Sequence, residues 1–206
     1  EMLREPAFDP DKLALAKDKQ KEAIRRQNDN PVQIAVREFR SMLWGADNPR
    51  GFNPTFQTVD AITRADLVAF HDRYYAPNNM ILGVSGDFNR KTIVAQVEKA
   101  MGAWPKKTVT WPSVPDVPLT RENALYLADK ESATQSTILI GRLSAKEGDP
   151  DQAALEVMDN ILGSGGFTSR ITQSVRNDRG LAYAAGSGLN IGRMAPGTQL
   201  IYAISK

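Results

Sequence analysis

Ser169-Arg170-Ile171-Thr172-Gln173-Ser174-Val175-Arg176-Asn177-Asp178-Arg179-Gly180-Leu181-Ala182-Tyr183 is the stretch on which the fold turns. With Phe167 just before it, Ile171 and Val175 fall at i, i+4 and i+8, the spacing of one helical face, and Gly180 supplies the stop. From Leu181 to Ile191 the chain reads as a strand. A helix that gives way to a strand across one glycine belongs to a mixed domain. Arg176 lies in the last helical turn and Tyr183 in the strand, so their side chains can converge on one spot. A structural reading also stands, because an arginine complements a helix C-terminus and a tyrosine suits a half-buried strand.

Working outward, Thr198 to Ile204 is a further strand, and the chain ends at Lys206 in a strand-like run with no closing helix, which is expected of an interrupted domain. Upstream, Asp149-Pro150 starts a helix carrying Ala153, Leu155, Met158, Ile161 and Leu162, and Gly163-Ser164-Gly165-Gly166 breaks it. Glycines before a helix can cradle a phosphate. Here the Gly-Lys-Ser/Thr ending is missing and no strand precedes the run, so a loop tightening two helices is the better reading. Ala124 to Ala128 and Thr137 to Leu143 read as strands. Between Trp104 and Asn123, Pro105, Pro112, Pro115 and Pro118 favour extended chain and mark a domain linker.

Before the linker the pattern is helical. Asp9 caps and Pro10 opens a helix that runs to the breaker Asn28-Asp29-Asn30-Pro31, and a second helix carries Val32, Ala35, Val36, Phe39, Met42 and Leu43 to Trp44-Gly45. Ala46 to Thr58 reads as a loop. Thr63 with Asp66 forms a capping box, and Ile62 with Leu67 a staple, for a third helix through Phe70 and Tyr74. Met80 to Gly86 is a short apolar run suited to a buried strand, and Asn89 caps a helix closed by Gly102.

The 206 residues, 41% of them hydrophobic, suffice for a core, and 26 Lys plus Arg against 24 Asp plus Glu leave no basic field to attract nucleic acid. The absence of cysteine excludes disulfides, thiolate metal sites and a cysteine nucleophile. No apolar run approaches the roughly 20 residues that span a bilayer, and the first residues do not form a signal peptide, though a cleaved one upstream is compatible with the sequence. The single histidine, His71, has no cysteine or second histidine to complete a zinc site, and for the serines of the glycine-rich run and the helix after it, the base a serine mechanism needs would be this one histidine, far away in sequence on a different predicted element. It reads as a structural or solvent-facing residue.

At Arg176 to Tyr183 the chain resembles the pitrilysin/insulinase family of zinc peptidases, which includes the mitochondrial processing peptidases. The resemblance extends over essentially the whole chain, through Asp29-Asn30-Pro31, Thr63 to Tyr75 with Pro77-Asn78-Asn79, Val84-Ser85-Gly86-Asp87-Phe88 and Gly102-Ala103-Trp104-Pro105. It implies an α/β (α+β) architecture of two similar domains, antiparallel sheets each backed by helices, enclosing a chamber for an extended peptide. Residues 1–118 would then be the back half of one domain with its linker, and 119–206 the front half of the next. The family's arginine and tyrosine, seven residues apart in the domain opposite the zinc, hold substrate, which implies a substrate-binding role for Arg176 and Tyr183.

The family's H-x-x-E-H zinc motif is not in this chain and would lie upstream of Glu1. The third ligand would be a glutamate of the first helix with another seven residues before it. Counting back from Pro31 reaches Ala23; a shift by one reaches Glu22, whose partner position is Leu15. The resemblance therefore implies a non-catalytic, substrate-binding partner of a homologous zinc-bearing subunit, or self-association, with no catalytic residue and no zinc expected here beyond the weak candidate Glu22. Two further readings are an active zinc endopeptidase whose motif lies upstream and a structural subunit of a larger assembly. The family's frequent export in bacteria implies a cell-envelope or periplasmic location.

Overall fold

A computed structural model describes residues 2–117 and 123–205, and the chain forms two compact units, one of residues 1–24 with 54–113 and one of 25–53 with 114–206. The boundary expected at 118/119 falls outside the described residues.

The first unit is helical. Helix α1 (Pro10–Arg25), nearly all of which belongs to it, starts where Asp9 Oδ1 accepts the Asp11 and Lys12 amides. In the second unit, α2 (Pro31–Trp44) is capped by Asn30, whose side chain takes the Val32 and Gln33 amides. These caps satisfy amides that the helix itself leaves without partners. Back in the first unit, α3 (Phe56–Ala61) starts inside the stretch read as loop, because Thr55 and Thr58 cap each other reciprocally. Helix α4 (Arg64–Tyr74) carries the expected box between Thr63 and Asp66, and α5 (Arg90–Met101) the expected Asn89 cap.

Met80 to Gly86 is not a strand. A strand needs a neighbour to take its amides and carbonyls, none of the described residues pairs with this run, and Ile81, Leu82 and Val84 are exposed. Ala124 to Ala128 is corrected for the same reason, with Leu125, Tyr126 and Leu127 exposed. His71 is structural: it is buried, Nε2 donates to the Leu3 carbonyl at 2.8 Å, and the ring stacks on Tyr75.

Among the described residues the second unit holds an antiparallel sheet of β1 (Ser136–Leu143), β2 (Ala184–Asn190) and β3 (Thr198–Ser205), in the order β1-β3-β2. The register sets Leu139 and Gly186 on either side of Tyr202. Helix α2 lies on β1, where Gly141 leaves room for Phe39: a Cβ there would come within 2.7 Å of the ring and 2.2 Å of the Gln199 carbonyl oxygen. Trp44, Leu143 and Ala195 form a small buried core, joined by Leu43 and by Val114 and Val117 of the proline-rich stretch. Helix α6 (Gln152–Asp159) crosses behind β2 and continues as a wide π-helical turn, Asn160–Ser164. Helices with an antiparallel sheet are the mixed α+β class the sequence implies.

Candidate functional site

The helix read through Phe167, Ile171 and Val175 is not continuous. Gly166, at a φ of 73° that only glycine adopts freely, opens a tight 3-10 turn, Gly166–Thr168, and a π-helical segment, Thr172–Asp178, follows. Ser169 ties the two together: its hydroxyl donates to the Gly166 carbonyl (2.8 Å) and meets Thr172 Oγ1 at 2.9 Å. Gln173 Nε2 donates to the Phe167 carbonyl at 2.8 Å and fixes the turn from the other side. Phe167 is thereby lifted off the core face that its spacing suggested and stands 70% exposed.

A buried polar seam sets the distance between this segment and β2. Thr172 Oγ1 donates to the Ala185 carbonyl at 3.1 Å, and Ser187 Oγ donates to Asp159 Oδ1 at 2.6 Å, with Asp159 only 4% exposed. The backbones meet so closely that a Cβ on Gly163 would lie 2.2 Å from the Ser187 amide nitrogen. Gly163 is thus required for contact across the seam rather than for cradling an anion.

At the far end the π-helical segment closes on Gly180 (φ 61°), whose amide returns to the Arg176 carbonyl at 3.2 Å while Leu181 N–H reaches Val175 O at 2.9 Å. Tyr183 N–H then donates to Ile204 O at 2.9 Å, which anchors the residue at the mouth of β2. Held from both ends, the two predicted residues converge. The Arg176 guanidinium carbon lies 5.2 Å from the centre of the Phe167 ring and 6.0 Å from that of Tyr183, and the Tyr183 side of the stack is 76% exposed. Both distances are within cation–π range. Among the described residues no acceptor takes a hydrogen bond from Arg176 and no carboxylate pairs with it.

Such a cluster offers guanidinium N–H groups, able to bond a carbonyl or carboxylate, framed by two apolar ring surfaces. Phe167 escapes a periodicity reading because it fits the i, i+4, i+8 face; the Gly165-Gly166 pair before it is the signal that the register breaks there.

The metal question is separate. Glu22 lies on α1, half-buried and engaged within the structure, with exposed Ala23 beside it and Leu15 two turns earlier. Among the described residues no three His, Cys, Asp or Glu side chains gather where a metal ion could be held. The described residues do not by themselves fit a zinc site. No helix among them is long and apolar enough to cross a membrane.

Comparison with known proteins gives a consistent picture. Residues 61–206 match the family described as the peptidase M16 inactive domain. An uncharacterized zinc protease of Mycobacterium leprae is 32% identical over 193 residues, covering 88% of this chain and 41% of that protein. A Mycobacterium tuberculosis protein of the same description is 32% identical, covering 88% and 42%. The chain thus spans less than half the length of these relatives. Among solved structures, a peptidase M16 inactive domain from Pseudomonas fluorescens superposes with a TM-score of 0.84 at 27% identity, over all of this chain and 49% of that one. A protease from Helicobacter pylori (TM-score 0.81, 20% identity, 96% and 48% covered) shares the fold.

Proposed function

The chain belongs to the peptidase M16 inactive-domain family, within the zinc proteases, and from that premise we propose that it binds extended peptides as the non-catalytic partner of a homologous zinc-bearing subunit. The observation that carries the proposal is Arg176, framed by Phe167 and Tyr183 with its N–H donors facing no acceptor among the described residues. A charged group that the fold positions but leaves without an acceptor is suited to an outside one. A backbone carbonyl or terminal carboxylate of a peptide matches it. The proposal extends to domain organisation, with residues 1–118 completing one peptidase-like domain and 119–206 opening the next, and to a cell-envelope location, as for the Escherichia coli neighbour described as a periplasmic protease.

The test is Arg176→Ala with Tyr183→Ala in the whole protein together with its active partner. Losing a charge-assisted hydrogen bond and a ring contact is expected to weaken peptide binding by roughly 10- to 100-fold. Unchanged binding and cleavage would sink the proposal. A second reading, an active zinc endopeptidase with its motif upstream and Glu22 as third ligand, is favoured by the relatives' description as zinc proteases; loss of zinc in Glu22→Gln would establish it.

A further inference from the structure

The Phe167–Arg176–Tyr183 cluster has a member that neither the Arg/Tyr spacing nor the family match singles out. Phe167 sits nine residues before Arg176 and is closer to its guanidinium than Tyr183 is, 5.2 Å against 6.0 Å. A phenylalanine left 70% exposed gives up most of its burial, and nothing in the turn requires a large ring at that position. The turn around it is nevertheless rigid: Gln173 Nε2 holds its carbonyl, and Ser169 Oγ holds the Gly166 carbonyl just before it. An exposed aromatic on a mobile loop is commonplace, whereas one on a doubly tied turn and stacked on an arginine has a fixed direction.

We propose that Phe167 is a specificity-determining residue of the peptide site, selecting peptides with a large apolar side chain on or beside the residue whose carbonyl takes the Arg176 N–H. The geometry gives two reasons. One ring face lies against the guanidinium, so Phe167 restricts the rotamers of Arg176 and orients its donors before a ligand arrives; pre-ordering of this kind lowers the entropic cost of binding. The ring is otherwise largely exposed, next to the arginine. An extended peptide alternates its side chains about the backbone, so a carbonyl bonded to Arg176 brings a side chain on or beside that residue within reach of the exposed ring. Leu181, also exposed and two residues before Tyr183, adds apolar surface on the strand side.

The inference rests on the peptide-binding reading, and the experiment separates the two. Two fluorescein-labelled nine-residue peptides of alanine and serine, one with a central phenylalanine and one with alanine in its place, are titrated by fluorescence anisotropy into the whole protein and its Phe167→Ala, Phe167→Leu and Arg176→Ala variants. Wild type is expected to favour the phenylalanine peptide, and Phe167→Ala to weaken that peptide about five- to tenfold, the scale of one aromatic contact, while weakening the alanine peptide only about twofold, the part due to lost pre-ordering of Arg176. Phe167→Leu, which keeps an apolar surface, should recover part of the preference. Phe167 is exposed, so circular dichroism of the variant should match wild type. Arg176→Ala that weakens both peptides, alongside Phe167→Ala that leaves their ratio unchanged, would overturn the specificity role and keep the peptide site. Binding indifferent to Arg176→Ala would overturn both.

Discussion

Thr63 and Asp66 show how much a single pair of residues can settle. The box was readable from sequence because its chemistry is local: the Thr63 hydroxyl accepts the Asp66 amide, and the Asp66 carboxylate accepts both the Thr63 amide and hydroxyl, each at 2.7 Å. Those bonds, the side-chain one first, hold the Asp66 pKa below the ordinary aspartate range. The sign follows: the folded pKa is depressed, so its stabilisation is present above the unfolded value of about 3.9 and is lost as pH falls through the lowered folded value. In an NMR pH titration Asp66 should titrate below ordinary aspartates, and Thr63→Ala should bring it back toward them at a cost of about 1 kcal/mol in helix stability. An ordinary Asp66 titration in the wild type would mean that the cap is not populated. That Arg176 and Tyr183 meet was legible from the single glycine turn between them, whereas a substrate-binding role is what the family resemblance implies. Phe167 was not legible, since an apolar residue at helical spacing reads as core until the register break is known.

The locally capped helix starts matched their sequence reading, as did strands β1 and β3, whereas two apolar runs read as strands found no partner and the helix through Phe167 broke at Gly166. The expected helix starts at Pro10, Pro31, Arg64 and Arg90 are where the structure has them, because each cap is made by residues within three positions. Met80 to Gly86 and Ala124 to Ala128 have strand composition but no strand, since pairing is supplied by other parts of a chain and composition does not reveal them. The seam beneath β2 was hidden for the same reason: Gly163 looks like any loop glycine until Ser187, 24 positions on, is brought against it. Two glycines of this region make a controlled comparison. A Cβ on Gly163 would meet the Ser187 amide nitrogen at 2.2 Å, its Oγ at 2.5 Å and the Gly186 carbonyl carbon at 2.7 Å, whereas one on Gly188 meets nothing within 4 Å. Gly163→Ala must push the π-helical turn Asn160–Ser164 away from β2, which overpacking data put at about 1–3 kcal/mol; Gly188→Ala should be near neutral. Urea unfolding of both variants checks this, and equal midpoints would show that the backbones can separate at no cost.

At the scale of the molecule, the question is whether this chain's parent carries its own metal. The family is one of zinc proteases, the matched domain is described as inactive, and the chain spans less than half of its relatives. Within the described residues the acidic side chains are dispersed: Glu22 lies on α1 without a second glutamate seven residues earlier, where Leu15 stands, and no group of three potential ligands gathers. A zinc site closed by three protein ligands loses much of its affinity when one is missing or misplaced. The non-catalytic reading therefore predicts that the purified whole protein, dialysed against metal-free buffer, holds far less than one zinc per chain by elemental analysis, and that added zinc does not raise its thermal midpoint. Peptide binding should persist in the presence of a chelator, because the Phe167–Arg176–Tyr183 cluster uses a guanidinium and two rings and no metal ligand. About one tightly held zinc per chain would reverse the assignment: Glu22 would become the first residue to test as a ligand, and the aromatic-framed arginine would serve a peptidase that acts alone.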